Sequence, residues 1–172
     1  RKTRMRKFIA VLIIFVFTLG ITGCRSVMED NKKTIYIPVL GDASWLRNDG
    51  SFYNGVQLAV QDCVKEYSSL GYDVKTSIID DKDSYDDGVA DAIRLGNDSK
   101  VTAVLNVQDF DVSKTTIDIL SSKNKIVLLP YGCYDELCTK GYKNVFCNVP
   151  SSADLGKAMA LYAARMGYSR IA

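Results

Sequence analysis

Histidine is absent from all 172 residues. That absence removes Ser-His-Asp and Cys-His catalysis, His-ligated zinc or haem, and an imidazole pH switch from within this chain. Only carboxylate, Lys, Tyr or Cys chemistry remains. Gly41, Gly50 and Gly55 are not spaced as Gly-x-Gly-x-x-Gly, and no Gly-x-x-x-x-Gly-Lys-Ser/Thr string occurs, which argues against a nucleotide cofactor. No Cys-x-x-Cys pair exists, so a zinc ribbon or a thioredoxin-type site is disfavoured. With 22 Lys+Arg against 20 Asp+Glu the formal charge is only +2, too little excess to suggest a nucleic-acid partner. Internal repeats and low-complexity tracts are lacking too.

The charge that is present is unevenly spread. Arg1, Lys2, Arg4, Arg6 and Lys7 open the chain, and no acid precedes Glu29. Phe8 to Leu19 is then apolar apart from Thr18, shorter than the roughly 20 residues that span a bilayer. Basic, apolar and small segments in that order are the plan of a secretory signal. Ile21-Thr22-Gly23-Cys24 resembles a bacterial lipobox, in which the chain is cut before the Cys and the thiol is lipidated. A retained anchor helix, or a plain signal beside a chance Cys, is the alternative. Met5 makes a more natural start than Arg1, so either residues 1–4 read as upstream sequence or the sequence is partial. The expected organisation is a lipoprotein signal over 1–23, then lipidated Cys24 and a polar tether to residue 33. Loss of the signal removes five positive charges and no negative ones, leaving a mildly acidic remainder of 17 basic and 20 acidic residues.

Thr34 to Leu40 reads as a buried strand ending at Gly41, with Pro38 marking an edge or a bulge. Residues 41–51 read as a loop. From Phe52 to Leu70, apolar positions at Phe52, Val56, Val60, Cys63, Val64 and Tyr67 recur at three and four. They predict an amphipathic helix with Cys63 in the core, closed by Gly71. Strands follow over Tyr72 to Ile79, Val101 to Val107, Lys125 to Tyr131 and Asn144 to Val149. Helices are expected over 84–96, Val112 to Leu120, and Ala153 to Met166, the last capped by Ser151 or Ser152; 132–143 is left as a loop. Strands alternating with helices at this spacing predict an α/β fold, a doubly wound parallel sheet. Ser169 to Ala172 reads as the opening of another strand. The expectation is therefore a fragment: a ligand-binding lobe over 34–150 and the start of a second lobe over 151–172.

The acidic run Asp80, Asp81, Asp83, Asp86 and Asp87 lacks the alternate ligands and distal Glu of an EF-hand loop. It reads as a solvated turn leading into a helix rather than as a metal site. Cys133 and Cys138 bracket a short loop and could bridge outside the cytoplasm. As a nucleophile Cys133 would need a base that this chain does not readily supply. Ligands of open α/β sheets bind beyond the carboxyl ends of the strands. The loops there are Gly41 to Trp45, Gln108 to Ser113 and Tyr131 to Tyr134, with Ser44 and Trp45, Asp111 and Ser113, and Tyr131 and Cys133 as the candidate contacts: rings, hydroxyls and one or more carboxylates, suited to a small polar ligand such as an amino acid. Asp111 or Ser113 could instead cap a helix, and Trp45 could pack on its own loop.

From about Ile35 to Ala172 the chain resembles the N-terminal lobe of periplasmic binding proteins of the Leu/Ile/Val-binding type. The carriers are Gly41 after the first strand, the helix start Phe52-Tyr53-Asn54-Gly55-Val56, Asp80-Asp81, Ile126 to Pro130, Asp135-Glu136-Leu137 with Gly141-Tyr142, and Asp154-Leu155-Gly156. The resemblance implies a type I two-lobed clamp, a substrate-binding lipoprotein on the bacterial membrane that delivers a small ligand to an ABC permease. No enzyme activity, cofactor, metal or nucleic acid is implied. A surface sensor using the same clamp is the alternative. In the family, hydroxyls hold the ligand's α-carboxylate at positions near Asp111 to Ser113 and Tyr131 to Cys133. Asp111 or Val112 and Cys133 depart from that pattern, and a carboxylate there would repel a ligand carboxylate, so a cationic or amide-like ligand enters the range.

Overall fold

The computed structural model describes residues 32–170. β1 (Lys33–Tyr36) pairs in parallel with β3 (Tyr72–Lys75), and β2 (Val39–Gly41) pairs in parallel with β4 (Ile78–Asp80). Each of the first two expected strands is thus divided in two. Pro38 is the cause in the first: it has no N–H to give, so the regular ladder stops there. Register still carries across, because Ile37 N donates to Lys75 O and Val39 N to Ser77 O, each at 2.9 Å.

β5 (Ala103–Asn106), β6 (Ile126–Leu129) and β7 (Val145–Cys147) complete a five-stranded sheet of order β4-β2-β5-β6-β7, parallel throughout. The chain runs one way from β2 to β4 through α1 (Ala43–Asn48) and α2 (Ser51–Tyr67). It then reverses, through α3 (Tyr85–Asn97) to β5, α4 (Phe110–Ser122) to β6, and α5 (Asp135–Thr139) to β7. Right-handed crossovers therefore put α2 on one face and α3 and α4 on the other, which is the doubly wound arrangement. After β7 comes α6 (Ser152–Arg165), whose cap is Ser151: its Oγ accepts from Asp154 N at 3.1 Å.

The core lies between the sheet and the α3–α4 layer. Leu40, Val104 and Val127 of the strands meet Ala92 and Leu95 of α3 and Ile117 and Leu120 of α4, all buried. Burial of each large apolar side chain there contributes about 1.5–3 kcal/mol. Every residue of β2 is buried, as a central strand covered on both faces requires. At the amino end of the sheet, Lys125 Nζ donates to Asp98 O at 2.6 Å and Val101 O at 3.0 Å, closing the end opposite the loops described below.

Several local expectations are corrected. Residues 43–48 form α1 rather than loop, because the Asp42 side chain accepts from Ser44 N and Trp45 N and so starts a helix that apolar periodicity does not announce. Residues 135–139 likewise form a short helix. α2 has no fully buried residue, and Cys63 is half-buried on it rather than in the core. Cys133 bonds to Cys147, not to Cys138, with 5.7 Å between Cα atoms. The reason is register: Leu129 stands opposite Cys147 in the β6–β7 ladder, so the loop leaving β6 starts beside Cys147.

Candidate functional site

β2 lies between β4 and β5, and the connections on its two sides leave in opposite directions. Such a reversal opens a crevice at the carboxyl ends of the strands. Here it is a cleft of about 370 Å³, within the size range of small-molecule sites. The segments following four of the five strands contribute: Asp42 and Trp45 after β2, Asp81 and Asp83 after β4, Gln108 and Asp109 after β5, Tyr131 and Tyr134 after β6.

The floor is a buried polar network. Asn106 and Gln108 alternate at the end of β5, with the apolar Val107 between them. Asn106 Nδ2 donates to Gln108 Oε1 at 3.2 Å and to Thr116 Oγ1 at 3.1 Å, while its Oδ1 accepts from Gln108 N at 3.0 Å. Ser113 Oγ donates to Gln108 O at 2.7 Å, and Thr116 Oγ1 to Gln108 Oε1 at 2.7 Å. The two α4 hydroxyls thus fix Gln108, Ser113 by its main-chain carbonyl and Thr116 by its side-chain amide, whose Nε2 reaches Asp81 Oδ2 at 2.8 Å. Buried groups satisfied in this way hold one geometry, since any rearrangement would strand a donor or acceptor.

Asp81 is only 3% exposed. Its second oxygen accepts from Asp83 N at 3.1 Å. Burial pushes its carboxyl above the ordinary 3.8, against the Gln108 and Asp83 hydrogen bonds, and the neighbouring charges of Asp42 and Asp80 push the same way. Lys82 and Asp83 both have positive φ, 55° and 53°. Two successive left-handed residues that are not glycine are costly, and the bonds from Lys82 N to Asp80 Oδ1 (3.0 Å) and from Asp83 N to Asp81 Oδ1 hold the turn in place. Asp42 behaves in the opposite way: the Ser44 hydroxyl and backbone N–H, with Trp45 N, hold its carboxyl below the ordinary value.

The walls are aromatic. Trp45 and Tyr131 meet edge to face, with centroids 5.2 Å apart and planes at 73°. Trp45 also leans on Phe52 at 6.4 Å, and Phe110 packs on Tyr134 at 4.3 Å. Burial raises the Tyr134 phenol above its usual value, and the Asp109 and Asp111 charges raise it further.

Of the six residues singled out from the sequence, Trp45, Ser113 and Tyr131 line the cleft, and Ser44, Asp111 and Cys133 do not. Ser44 Oγ is turned to Asp42 Oδ2 at 2.8 Å. α4 starts at Phe110 with Asp109 as its cap residue, which leaves Asp111 exposed in the first turn. Cys133 is held in its disulfide between the lining residues Gly132 and Tyr134. Ser113 faces the cleft, but its hydroxyl is committed to the floor. Asp81, Asn106, Gln108 and Tyr134 also line it and are not among those six, although Gln108 and Tyr134 belong to the expected crevice loops. The acidic run reads as solvated in sequence, whereas Asp81 is buried. For Asn106 and Gln108 a signal existed, two polar residues at period two where a largely apolar strand ends. Among the described residues no three carboxylates or thiols converge as metal ligands, and no helix is long and apolar enough to cross a membrane.

The family model described as periplasmic binding protein matches residues 34–172. An ABC transporter substrate-binding protein from Desulfitobacterium hafniense is 26% identical with a TM-score of 0.71, over 78% of this chain and 39% of that one. A structure from the same organism, described as a complex with Leu, is 25% identical with a TM-score of 0.70 over the same shares. A leucine-binding protein from Thermotoga maritima, 22% identical with a TM-score of 0.57 over 75% of this chain and 36% of that one, shares the fold. Among curated proteins none matches. The chain thus spans well under half the length of these solved structures.

Proposed function

The chain belongs to the periplasmic binding protein family, and from that premise we propose that it is the first lobe of a bacterial solute-binding protein that captures a small polar ligand, an amino acid or a related molecule, for an ABC importer. The observation that carries this reading is the cleft at the strand reversal, with its fixed polar floor and its Trp45 and Tyr131 walls. A preorganised floor binds without first ordering itself, which favours affinity for a small ligand. The Desulfitobacterium hafniense structure described as a complex with Leu supports a ligand of amino-acid size. The role is to hold a solute and asks for no catalytic residue, in keeping with a chain that has no histidine.

The basic, apolar and small segments ending at Cys24 support export and lipid anchoring on the extracytoplasmic side of the membrane, next to the permease. Cys24 lies outside the described residues. The lobe over 34–150 and the start of a second lobe over 151–172 remain the domain division of this reading.

Calorimetry of the whole protein against a panel of amino acids and small amides tests it. Saturable heat with at least one compound, weakened about tenfold by Trp45→Ala or Tyr131→Ala, is the expected result, the scale of losing one ring contact in a desolvated site. Heat with none of the panel would remove the solute-binding reading.

A further inference from the structure

We propose that the ligand presents a cationic organic head to this lobe, an ammonium, alkylated ammonium or guanidinium group, seated between the Trp45 and Tyr131 rings and the carboxylates of Asp81 and Asp83. This rests on the solute-binding reading above and narrows its ligand class.

The charge lining the cleft is all of one sign. Asp42, Asp81, Asp83 and Asp109 line it, and no described Lys or Arg does. Asp81 is the most telling of the four. It is buried, and both its oxygens are met by uncharged donors, the Gln108 side-chain amide and the Asp83 backbone N–H. Neither brings a positive charge. The lysines on the adjoining segments are engaged elsewhere: Lys82 Nζ with Asp87 at 3.4 Å and Lys114 Nζ with Glu136 at 2.8 Å, both at the surface. A buried carboxylate without a countercharge is expensive to keep ionised, so a cation arriving in the cleft gains more from it than from an exposed carboxylate.

The rings complete the chemistry. A cation is attracted to the faces of Trp and Tyr, and Trp45 and Tyr131, set edge to face, line the same cleft as the carboxylates. A metal ion is the wrong shape of cation here, because no three of the described carboxylates converge on one point. A ligand carboxylate turned toward this lobe would meet four like charges. The acidic field is felt by the raised Tyr134 phenol, which burial, Asp109 and Asp111 all push in one direction.

The test is calorimetry on the whole protein with probes matched in shape and different in head charge: choline against 3,3-dimethyl-1-butanol, arginine against citrulline, and glutarate as the anion. The cationic member of at least one pair binds about tenfold tighter than its neutral partner, the scale of a desolvated cation–ring contact. Asp81→Asn abolishes that preference. Asp83→Asn, at an exposed position, reduces it several-fold. Neutral or anionic members binding as well as their cationic counterparts, or a preference untouched by both variants, overturns the cationic head while solute binding stands. Binding by no compound of this panel or of the amino-acid and amide panel overturns both.

Discussion

Gln108 Nε2 donates to Asp81 Oδ2 at 2.8 Å, so that loops from the two strands flanking β2 are joined above it by one hydrogen bond. The same amide's oxygen accepts from Thr116 Oγ1 and Asn106 Nδ2. One side chain therefore ties the β4 loop, the β5 loop and α4 together.

Gln108→Ala strands the Asp81 carboxylate and leaves the Asn106 and Thr116 donors short of an acceptor. It is expected to cost about 2–3 kcal/mol, the scale of breaking a buried bond to a charged group. Urea unfolding, with an unchanged m-value, measures it. A loss under about 0.5 kcal/mol, the range of an ordinary surface change, would show that the network is not under tension of this kind.

Two glycines in helices are predicted to respond in opposite directions to Ala. A Cβ at Gly88 would stand 2.5 Å from Gln108 Nε2 and 2.7 Å from Val112 Cγ1, whereas one at Gly55 would meet nothing within 4 Å. Gly88→Ala is expected to destabilise by about 1–3 kcal/mol through overpacking, and to weaken ligand binding by displacing Gln108. Gly55→Ala should stabilise by up to about 1 kcal/mol from helix propensity alone. Thermal unfolding of the pair, measured side by side, checks both signs.

The bond between Cys133 and Cys147 closes a loop with a sequence separation of 14. Removing it by Cys147→Ser is expected to cost about 3 kcal/mol, the entropy of a loop of that length in the unfolded chain. Because Gly132 and Tyr134 line the cleft on either side of Cys133, ligand affinity should fall as well. Equal urea midpoints for oxidised and reduced protein would refute the first expectation.

Affinity for choline is predicted to depend on pH through Asp81. Its carboxyl is raised above the ordinary 3.8, first by burial, and by the charges of Asp42 and Asp80 among its neighbours. The ionised form attracts the cation, so affinity is full at neutral pH and is lost as pH falls through the raised value, above the range where an ordinary Asp titrates. Asp42 is held low and stays charged through that window. The choline charge is permanent, so the ligand contributes no titration. In the free protein the sign reverses: a raised carboxyl adds stability below its unfolded value, and that stability is lost as pH rises through the folded value. Calorimetry across roughly pH 4 to 7, with Asp81→Asn as the flat control, reads the first effect directly.

Much of the architecture was legible in the residues. Runs such as Val101 to Val107 and Lys125 to Tyr131, alternating with amphipathic stretches, specify a parallel sheet with a reversal, because strands buried on both faces read as apolar runs. The interruption at Pro38 was signalled by the missing N–H. What was hidden depends on contacts distant in sequence. Asp81 reads as one member of an acidic turn, and only the fold brings Gln108 over it. Cys133 lies nearer Cys138 along the chain, yet strand register delivers Cys147. α1 arises from a single Asp42 cap with no periodic pattern behind it. The expected Ser113 does reach the cleft, but its hydroxyl is spent on a carbonyl, which no spacing argument could foretell.

The disulfide next to the cleft also has a mechanical side. Cys133 forms a parallel bridge with Ser151, the cap of α6, while its sulfur is joined to Cys147 on β7. The stretch leading into α6 and the stretch carrying Tyr131 and Tyr134 are thereby coupled by covalent bonds and backbone hydrogen bonds instead of by soft packing. A shift of the α6 entry would therefore bear on the segment carrying the aromatic wall through these bonds, and cutting the disulfide would leave that segment tied to the helix only by the backbone bridge.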